Sequence, residues 1–151
     1  MIRTAALVLV VSLTACAPLP PPGPTGPAGT STADDCAIFA AIAIEHYRLR
    51  ENTAPPLWNP VRSDSGEVYR LTCGWSRYGL SFPETYDPER PVAGRVQWVK
   101  FEPPRYDGRD RATVATEIMH GPLAGMGYEC EMVFTDWAGW TLGECRTTWI
   151  S

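Results

Sequence analysis

The sequence predicts an α+β domain in which one N-terminal helix packs on a curved antiparallel sheet of about four to five strands, stapled by disulfides. Helical periodicity is confined to residues 34–51, and the later chain carries short β-type segments separated by glycine, proline, aspartate or asparagine. An even set of four cysteines in the same region is typical of a small exported domain that disulfides stabilise.

The predicted helix covers residues 34–51. Asp34 and Asp35 stand at its start, where carboxylates complement the helix dipole. The pair Pro55-Pro56 prevents the helix from continuing. Apolar side chains recur at helical spacing and form one stripe, which consists of Cys36, Phe39, Ala40, Ala43 and Tyr47. We therefore expect one face of the helix to be buried against the sheet.

Five later segments are predicted to be strands, because several are rich in β-branched and aromatic residues and turn-forming residues separate them. They are residues 68–73, 95–101, 112–120, 127–135 and 140–150. A helix followed by such a meander resembles the order of elements in cystatin-like and NTF2-like domains. The resemblance implies a helix-on-sheet topology and implies no function.

The last two strands are predicted to form a hairpin that a disulfide closes. The turn-forming stretch 136–139 separates them, and a turn centred between Trp137 and Ala138 places Cys130 directly opposite Cys145. Facing residues of a non-hydrogen-bonded antiparallel pair have Cα atoms about 4.5 Å apart, which is at the short end of disulfide geometry. We therefore predict a Cys130–Cys145 bond.

The two other cysteines of the domain, Cys36 and Cys73, then form the second disulfide, which ties the helix to the first strand. The hairpin register also places Glu131 opposite Glu144, which is a mildly unfavourable pair. No CxxC motif occurs, and exported thiols are oxidised. The sequence therefore predicts disulfides and no metal site.

The first fifteen residues have the layout of a secretory signal peptide. A positive start containing Arg3 precedes the apolar run "TAALVLVVSL", which is shorter than the roughly 20 residues of a membrane span. The run ends in Leu13-Thr14-Ala15-Cys16, which resembles the lipobox of bacterial lipoproteins. The resemblance implies that the chain is cleaved before Cys16 and that this cysteine carries acyl chains such as palmitate.

The residue after the lipobox cysteine is Ala17. In the lipoprotein family an aspartate there favours the inner membrane, so Ala17 implies an outer-membrane anchor facing the periplasm. Residues 16–33 are the lipidated, Pro/Gly-rich tether, which cannot build a core, and residues 34–151 are a single domain. Loss of the signal peptide changes the formal net charge from −4 to −5, because it removes Arg3. This mild acidity without a basic stripe argues against a nucleic-acid partner.

Two shorter resemblances concern the domain itself. The stretches "HGPLAGMGYEC" and "TTWIS" resemble the ends of uncharacterised small exported bacterial proteins, which implies a closing hairpin and no activity. Ser65-Gly66-Glu67-Val68-Tyr69 resembles the S-G-x-x-Y loop of periplasmic lysozyme inhibitors. That resemblance makes Ser65 and Tyr69 candidate partner contacts, and an acidic domain suits a cationic lysozyme.

The sequence contains no recognised catalytic motif. Neither His46 nor His120 lies in a metal-binding spacing such as HExxH, and no G-x-S-x-G motif or phosphate-binding loop occurs. We therefore predict no cofactor and no enzymatic activity. An enzyme with an unrecognised site is the alternative.

The long loop 74–94 is the candidate partner-binding surface. It lacks periodicity and contains Trp75, Arg77 and Tyr78, which are residue types that anchor interfaces. The alternative is that its aromatic side chains cover the sheet as part of the core. Taken together, the sequence predicts a membrane-anchored periplasmic module that binds a protein partner or has a structural role in the envelope. The alternative is an inhibitor or immunity protein directed at an envelope hydrolase.

Overall fold

The computed structural model describes residues 29–59, 61–62, 68–83, 85–89 and 96–151. The predicted signal peptide, the lipidation site Cys16, most of the tether and the candidate contact Ser65 lie outside the described residues. Among the residues that are described, no helix is both long enough and apolar enough to cross a membrane.

The helix α1 covers Ala33–Ala41 and continues as a π-helical turn, Ile42–His46. It does not lie at the N-terminus of the chain as predicted, although it comes before every strand of the described region. A capping box starts it: the Thr32 hydroxyl accepts from the Asp35 N–H, and the Asp35 carboxylate accepts from the Thr32 N–H. The helix ends before the predicted residue 51, because Arg48 adopts a left-handed conformation with a φ of 58°.

The strands that follow form two antiparallel sheets. They are β1 (Val61–Arg62), β2 (Val68–Tyr69), β3 (Trp98–Phe101), β4 (Arg105–Asp107), β5 (Arg111–Gly121), β6 (Ala124–Thr135) and β7 (Gly139–Ile150). Strands β1 and β2 pair with each other, and the other five form one sheet in the order β3–β5–β6–β7, with β4 also beside β5. The predicted α+β class and an antiparallel sheet of about five strands are confirmed. The predicted strand 68–73 is not part of that sheet, because only Val68–Tyr69 forms a strand and it pairs with β1; the fifth strand of the sheet is the unpredicted β4.

The core lies between α1 and one face of the large sheet. The side chains of Ile38, Phe39 and Ile42 are fully buried, and the Phe39 ring stacks on Phe101 of β3 with centroids 5.3 Å apart. Every second residue of β5 contributes to the same core, namely Ala112, Val114, Thr116 and Ile118. Each fully buried large apolar side chain contributes roughly 1.5–3 kcal/mol to folding.

Short extended pieces widen the sheet beyond β3. Leu57 forms parallel bridges with Val99 of β3 and with Thr85. The Trp58 N–H donates to the carbonyl oxygen of Val99 at 2.9 Å, and the Tyr86 N–H donates to that of Leu57 at 2.8 Å. These pieces fix the loops that form one end of the domain.

Both predicted disulfides are confirmed. Cys36 on α1 is bonded to Cys73, with Cα atoms 5.4 Å apart, and Cys130 on β6 is bonded to Cys145 on β7, with Cα atoms 4.0 Å apart. The first bond joins the helix to the segment that follows β2. The second joins two neighbouring strands.

The turn of the β6–β7 hairpin differs from the predicted one. Thr135 faces Gly139, so the turn is centred on Trp137 and not between Trp137 and Ala138. With this turn alone, the two cysteines would be out of register by one residue.

A β-bulge restores the predicted cysteine pair. The register shifts between Met132 and Cys130, with one extra residue on β7, and beyond the shift Cys130 faces Cys145. Glu131 has no directly facing partner in this ladder, so the predicted Glu131–Glu144 pair does not form. The disulfide prediction was therefore right, while the register that led to it was wrong near the turn.

Candidate functional site

A pocket of about 350 Å³ lies at the end of the sheet where β5 leads into β6. Its size is within the range of roughly 300–1,000 Å³ that is typical of ligand sites. The pocket is lined by Leu49, Asn52, Thr53, Ala54, Pro55, Pro56, Pro83, Gln97, Ile118, Met119 and His120. Its walls therefore combine apolar side chains and prolines with amide, hydroxyl and imidazole groups.

The segment after α1 forms one wall. The Thr53 hydroxyl accepts a hydrogen bond from the Arg50 N–H at 2.8 Å, which closes a tight turn. Pro55 and Pro56 follow, and their rings fix the backbone φ. The carbonyl oxygen of Pro56 accepts from the Val99 N–H at 3.0 Å. This wall is therefore tied to the edge of the sheet and is formed before any ligand binds.

The end of β5 and the residue before β3 form the opposite wall. The Gln97 side-chain amide donates to the carbonyl oxygen of His120 at 3.1 Å, which joins the two pieces of chain. The His120 side chain is exposed, so its imidazole is free to exchange hydrogen bonds with a ligand. A neutral imidazole both donates and accepts, and Gln97 brings a side-chain amide to the same wall.

An aromatic cluster supports the pocket from the sheet face opposite to the core. Trp98 faces Met119 in the β3–β5 ladder, and Met119 lines the pocket. The Trp58 and Tyr86 rings pack against Trp98, with centroid distances of 4.7 Å and 5.9 Å. The ammonium group of Lys100 lies 5.6 Å from the centroid of the Trp58 ring, which is within cation–π range. These contacts hold the β3 side of the pocket rigid.

A buried polar network lies elsewhere and has a structural role. The Asp35 carboxylate accepts hydrogen bonds from the hydroxyls of Tyr69, at 2.8 Å, and Tyr106, at 2.5 Å. Burial, together with these bonds to Asp35, raises the pKa of both tyrosines above the usual value. Tyr69, a predicted partner contact, is therefore buried with its hydroxyl engaged, and its side chain does not face a partner.

The predicted loop residues divide between core and surface. Trp75–Tyr78 form a 3₁₀-helix. Trp75 and Tyr78 are half-buried and pack against the core, and the Trp75 ring lies 4.7 Å from that of Phe82. Arg77 is exposed. Trp75 and Tyr78 therefore cover the core, as the alternative interpretation of the loop predicts. Of the three predicted contacts in this loop, only Arg77 is exposed to solvent.

The two histidines have different surroundings. His120 lines the pocket, whereas His46 is half-buried between the rings of Tyr47 and Tyr128, at centroid distances of 4.9 Å and 4.3 Å. Burial and the positive charge of Arg48 lower the pKa of His46 below its usual value.

Sequence patterns alone do not predict this pocket, because its residues come from four separate segments that only the fold brings together. The pair Pro55-Pro56 is the one local signal. Two consecutive prolines stop a helix, and they also form a rigid wall suited to a ligand. The positions of His120 and Gln97 depend on the β3–β5 pairing, which no short motif specifies.

No protein-family model matches the chain. A curated protein that matches it was not found either, nor was a solved structure.

Proposed function

We propose that the chain is a lipid-anchored protein of the bacterial outer membrane, faces the periplasm and acts as a binding module. The lipobox resemblance at Cys16 supports the anchor. The two disulfides fit an oxidising compartment. The observation that carries the binding role is the pocket between the post-helix segment and the end of β5, which we take as the ligand site.

The pocket lining favours an uncharged ligand that carries several hydrogen-bonding groups. Among the described residues, its lining includes no Asp, Glu, Lys or Arg. Amide, hydroxyl and imidazole groups recognise neutral polar groups, and proline and methionine offer apolar contact. Sugars that bear an amide, as in cell-wall glycan, combine these two kinds of surface. The ligand class proposed is therefore an amide-bearing glycan of the envelope.

The finer fold proposal is a cystatin-like or NTF2-like arrangement. Its support is the order of elements, in which α1 precedes an antiparallel meander that ends in the β6–β7 hairpin. Fold similarity of this kind carries no function by itself.

An inhibitor of an envelope hydrolase such as lysozyme is the second candidate. It is favoured by the acidic charge of the domain and requires a protein-binding surface, for which Arg77 of the 74–94 loop is exposed. The S-G-x-x-Y resemblance gave Ser65 and Tyr69 as candidate contacts of such an inhibitor, and Tyr69 is buried and unavailable to a partner. An enzyme acting on the same glycan is the third candidate, with His120 of the pocket as its candidate catalytic residue.

The test is calorimetric titration of the full chain, carrying Cys16→Ser to prevent lipidation, with soluble glycan fragments made of N-acetylglucosamine, an uncharged amide-bearing sugar. We expect His120→Ala and Gln97→Ala each to weaken binding by about tenfold, which corresponds to about 1.4 kcal/mol. The matched control Arg77→Ala should bind as the parent chain does.

Three results would separate the candidates. Lost binding in Arg77→Ala with normal binding in His120→Ala would move the site to the 74–94 loop. Inhibition of a lysozyme, with no binding of fragments, would favour the inhibitor. Cleavage of the fragments during the titration, removed by His120→Ala, would favour the enzyme.

A further inference from the structure

The second disulfide lies beside a histidine. One ring nitrogen of His46 and the sulfur atoms of Cys130 and Cys145 all lie within 4.8 Å of one another. They come from three different elements: the π-helical turn, β6 and β7. The His46 ring also packs against the rings of Tyr47 and Tyr128, and within the described part of the chain its ring nitrogens make no hydrogen bond.

We propose that reduction of the Cys130–Cys145 disulfide converts this cluster into a binding site for a thiophilic d¹⁰ cation, with Zn²⁺ as the representative ion. The ligands are the two cysteine thiolates and the His46 imidazole. The prediction of disulfides without a metal applies to the oxidised chain, and this proposal concerns the reduced chain.

The distances suit such an ion. Zinc binds thiolate sulfur at about 2.3 Å and imidazole nitrogen at about 2.0–2.1 Å, so the donor atoms of one tetrahedral ion lie roughly 3.5–3.8 Å apart. The three donor atoms are within 4.8 Å of one another, so shifts of about 1 Å would bring them to these separations. Cysteine and histidine are the ligand types that zinc prefers.

The backbone keeps the ligands together after the disulfide opens. Cys130 faces Cys145 in the β6–β7 ladder, and on one side of them Glu129 faces Arg146. The ring of Tyr128 packs edge-on against His46 at 4.3 Å. Cys130 is fully buried, whereas Cys145 and His46 are half-buried. The ion would therefore enter from the side of Cys145 and His46, which also leaves a fourth position for a solvent ligand.

Among the residues that the structure describes, the other disulfide has no such cluster beside it. The side-chain oxygen of Ser31 is the polar atom next to Cys36 and Cys73, at 3.6 Å and 3.5 Å. Within the described residues, the His46 cluster is the group of three or more His, Cys, Asp or Glu side chains with converging donor atoms. The two disulfides therefore respond differently to a metal ion.

Opening the Cys130–Cys145 disulfide requires a reductant. A dithiol reductant transfers two electrons and two protons to the Cys130–Cys145 bond and becomes a disulfide itself. The two cysteine thiols then lose their protons to solvent as the cation binds, and the two thiolate charges neutralise a divalent ion. Because the same sulfur atoms cannot be in a disulfide and bind the ion, the metal must stabilise the reduced form. Free Zn²⁺ at ten times its dissociation constant would raise the reduction potential of this disulfide by about 30 mV.

The experiment uses the full chain with Cys16→Ser, reduced with a phosphine that does not compete as a thiol. Co²⁺ is titrated as a spectroscopic probe and is then displaced with Zn²⁺. We expect one Co²⁺ per chain with thiolate charge-transfer absorption, and none with the oxidised protein. His46→Ala should lower the affinity at least tenfold, whereas the matched control His120→Ala should not change it.

A fold measurement accompanies each titration, because reduction also opens Cys36–Cys73. If the reduced chain is folded, Zn²⁺ should raise its melting temperature in the parent and in His120→Ala, and not in His46→Ala. If the reduced chain is unfolded, Zn²⁺ should restore the native circular dichroism in the same two proteins only. The proposal is overturned by metal binding that is equal in both histidine variants, by the same binding to the oxidised chain, or by no binding.

Discussion

The β6–β7 hairpin and the segment 68–83 are each held by one disulfide, but the rest of their support differs. The hairpin is paired from Met126 opposite Ile150 to Thr135 opposite Gly139. The backbone N–H and C=O groups of its two strands therefore hydrogen-bond to each other. The segment 68–83 contains the two-residue strand β2 and the 3₁₀-helix, and side chains from distant parts of the chain hold it in place.

Those side chains act as clamps on the backbone of the segment. The Asn59 amide donates to the carbonyl oxygen of Leu71 at 3.0 Å and accepts from its N–H at 3.2 Å. The Ser31 hydroxyl accepts from the Thr72 N–H at 2.8 Å. The hairpin is thus stabilised by contacts between residues that are near each other in sequence. The segment 68–83 depends on contacts with residues that are distant in sequence. Single substitutions should therefore cost more in the segment than at comparable positions of the hairpin.

The largest effect is expected from removing the disulfides. Cys36–Cys73 closes a loop with a sequence separation of 37, and Cys130–Cys145 one of 15. The chain-entropy estimate gives a loss of about 4 kcal/mol for Cys36→Ser/Cys73→Ser and about 3 kcal/mol for Cys130→Ser/Cys145→Ser. Denaturant unfolding of the two double variants measures both values. An equal or larger loss in the hairpin variant would contradict the comparison.

This difference also explains what the sequence could predict. β7 shows no apolar–polar alternation over its whole length. In β5 and β6, core-facing side chains recur at every second position over part of the strand, so the existence of these two strands follows from local pattern. The bulge beside Glu131 is missed because the predicted register rests on the position of the turn alone, and the extra residue lies in β7 beyond that turn. The core role of Trp75 and the pocket wall at His120 depend on packing between distant segments, which one sequence does not encode locally.

The second prediction separates the core and surface residues of the 3₁₀-helix. Trp75→Ala should lower the free energy of unfolding by roughly 2–3 kcal/mol, somewhat less than the 3–5 kcal/mol typical of a fully buried aromatic, because Trp75 is half-buried. Arg77→Ala, the matched exposed variant, should stay within about 0.5 kcal/mol of the parent. If denaturant unfolding gave the two variants a similar stability, Trp75 would not be a core residue and would again be a candidate partner contact.

The third prediction concerns the hydrogen bond from the Tyr69 hydroxyl to the Asp35 carboxylate. Tyr69→Phe removes one donor to a buried carboxylate, and a hydrogen bond to a charged group contributes roughly 1.5–3 kcal/mol. We expect a loss of about 2 kcal/mol at neutral pH.

The same variant should change the pH dependence of stability. The pKa of Tyr69 is raised in the folded chain, whereas an unfolded tyrosine titrates near its usual value of about 10. The unfolded state therefore loses its proton first, and the Tyr69 contribution is present below about pH 10 and declines above it. Melting temperatures between about pH 9 and pH 11 should fall less steeply for Tyr69→Phe than for the parent. Equal slopes would show that the tyrosine is not protected by burial.

The smallest effect tests the close approach of Trp149 to Gly127 in the hairpin. The Trp149 indole lies over Gly127, where a Cβ atom would collide with the ring and with the Thr148 hydroxyl. Gly127→Ala should therefore push Trp149 off β6 at a cost of about 1 kcal/mol, at the low end for overpacking, because Trp149 is half-buried on an edge strand and can swing outward. Gly74→Ala is the matched control, since a Cβ there meets nothing within 4 Å and its φ of −78° suits alanine. Its stability should stay within about 0.5 kcal/mol of the parent. Denaturant unfolding, followed by tryptophan fluorescence, compares the two variants. If Gly127→Ala cost as much as Trp75→Ala, the hairpin would depend on side-chain packing as strongly as the segment 68–83 does.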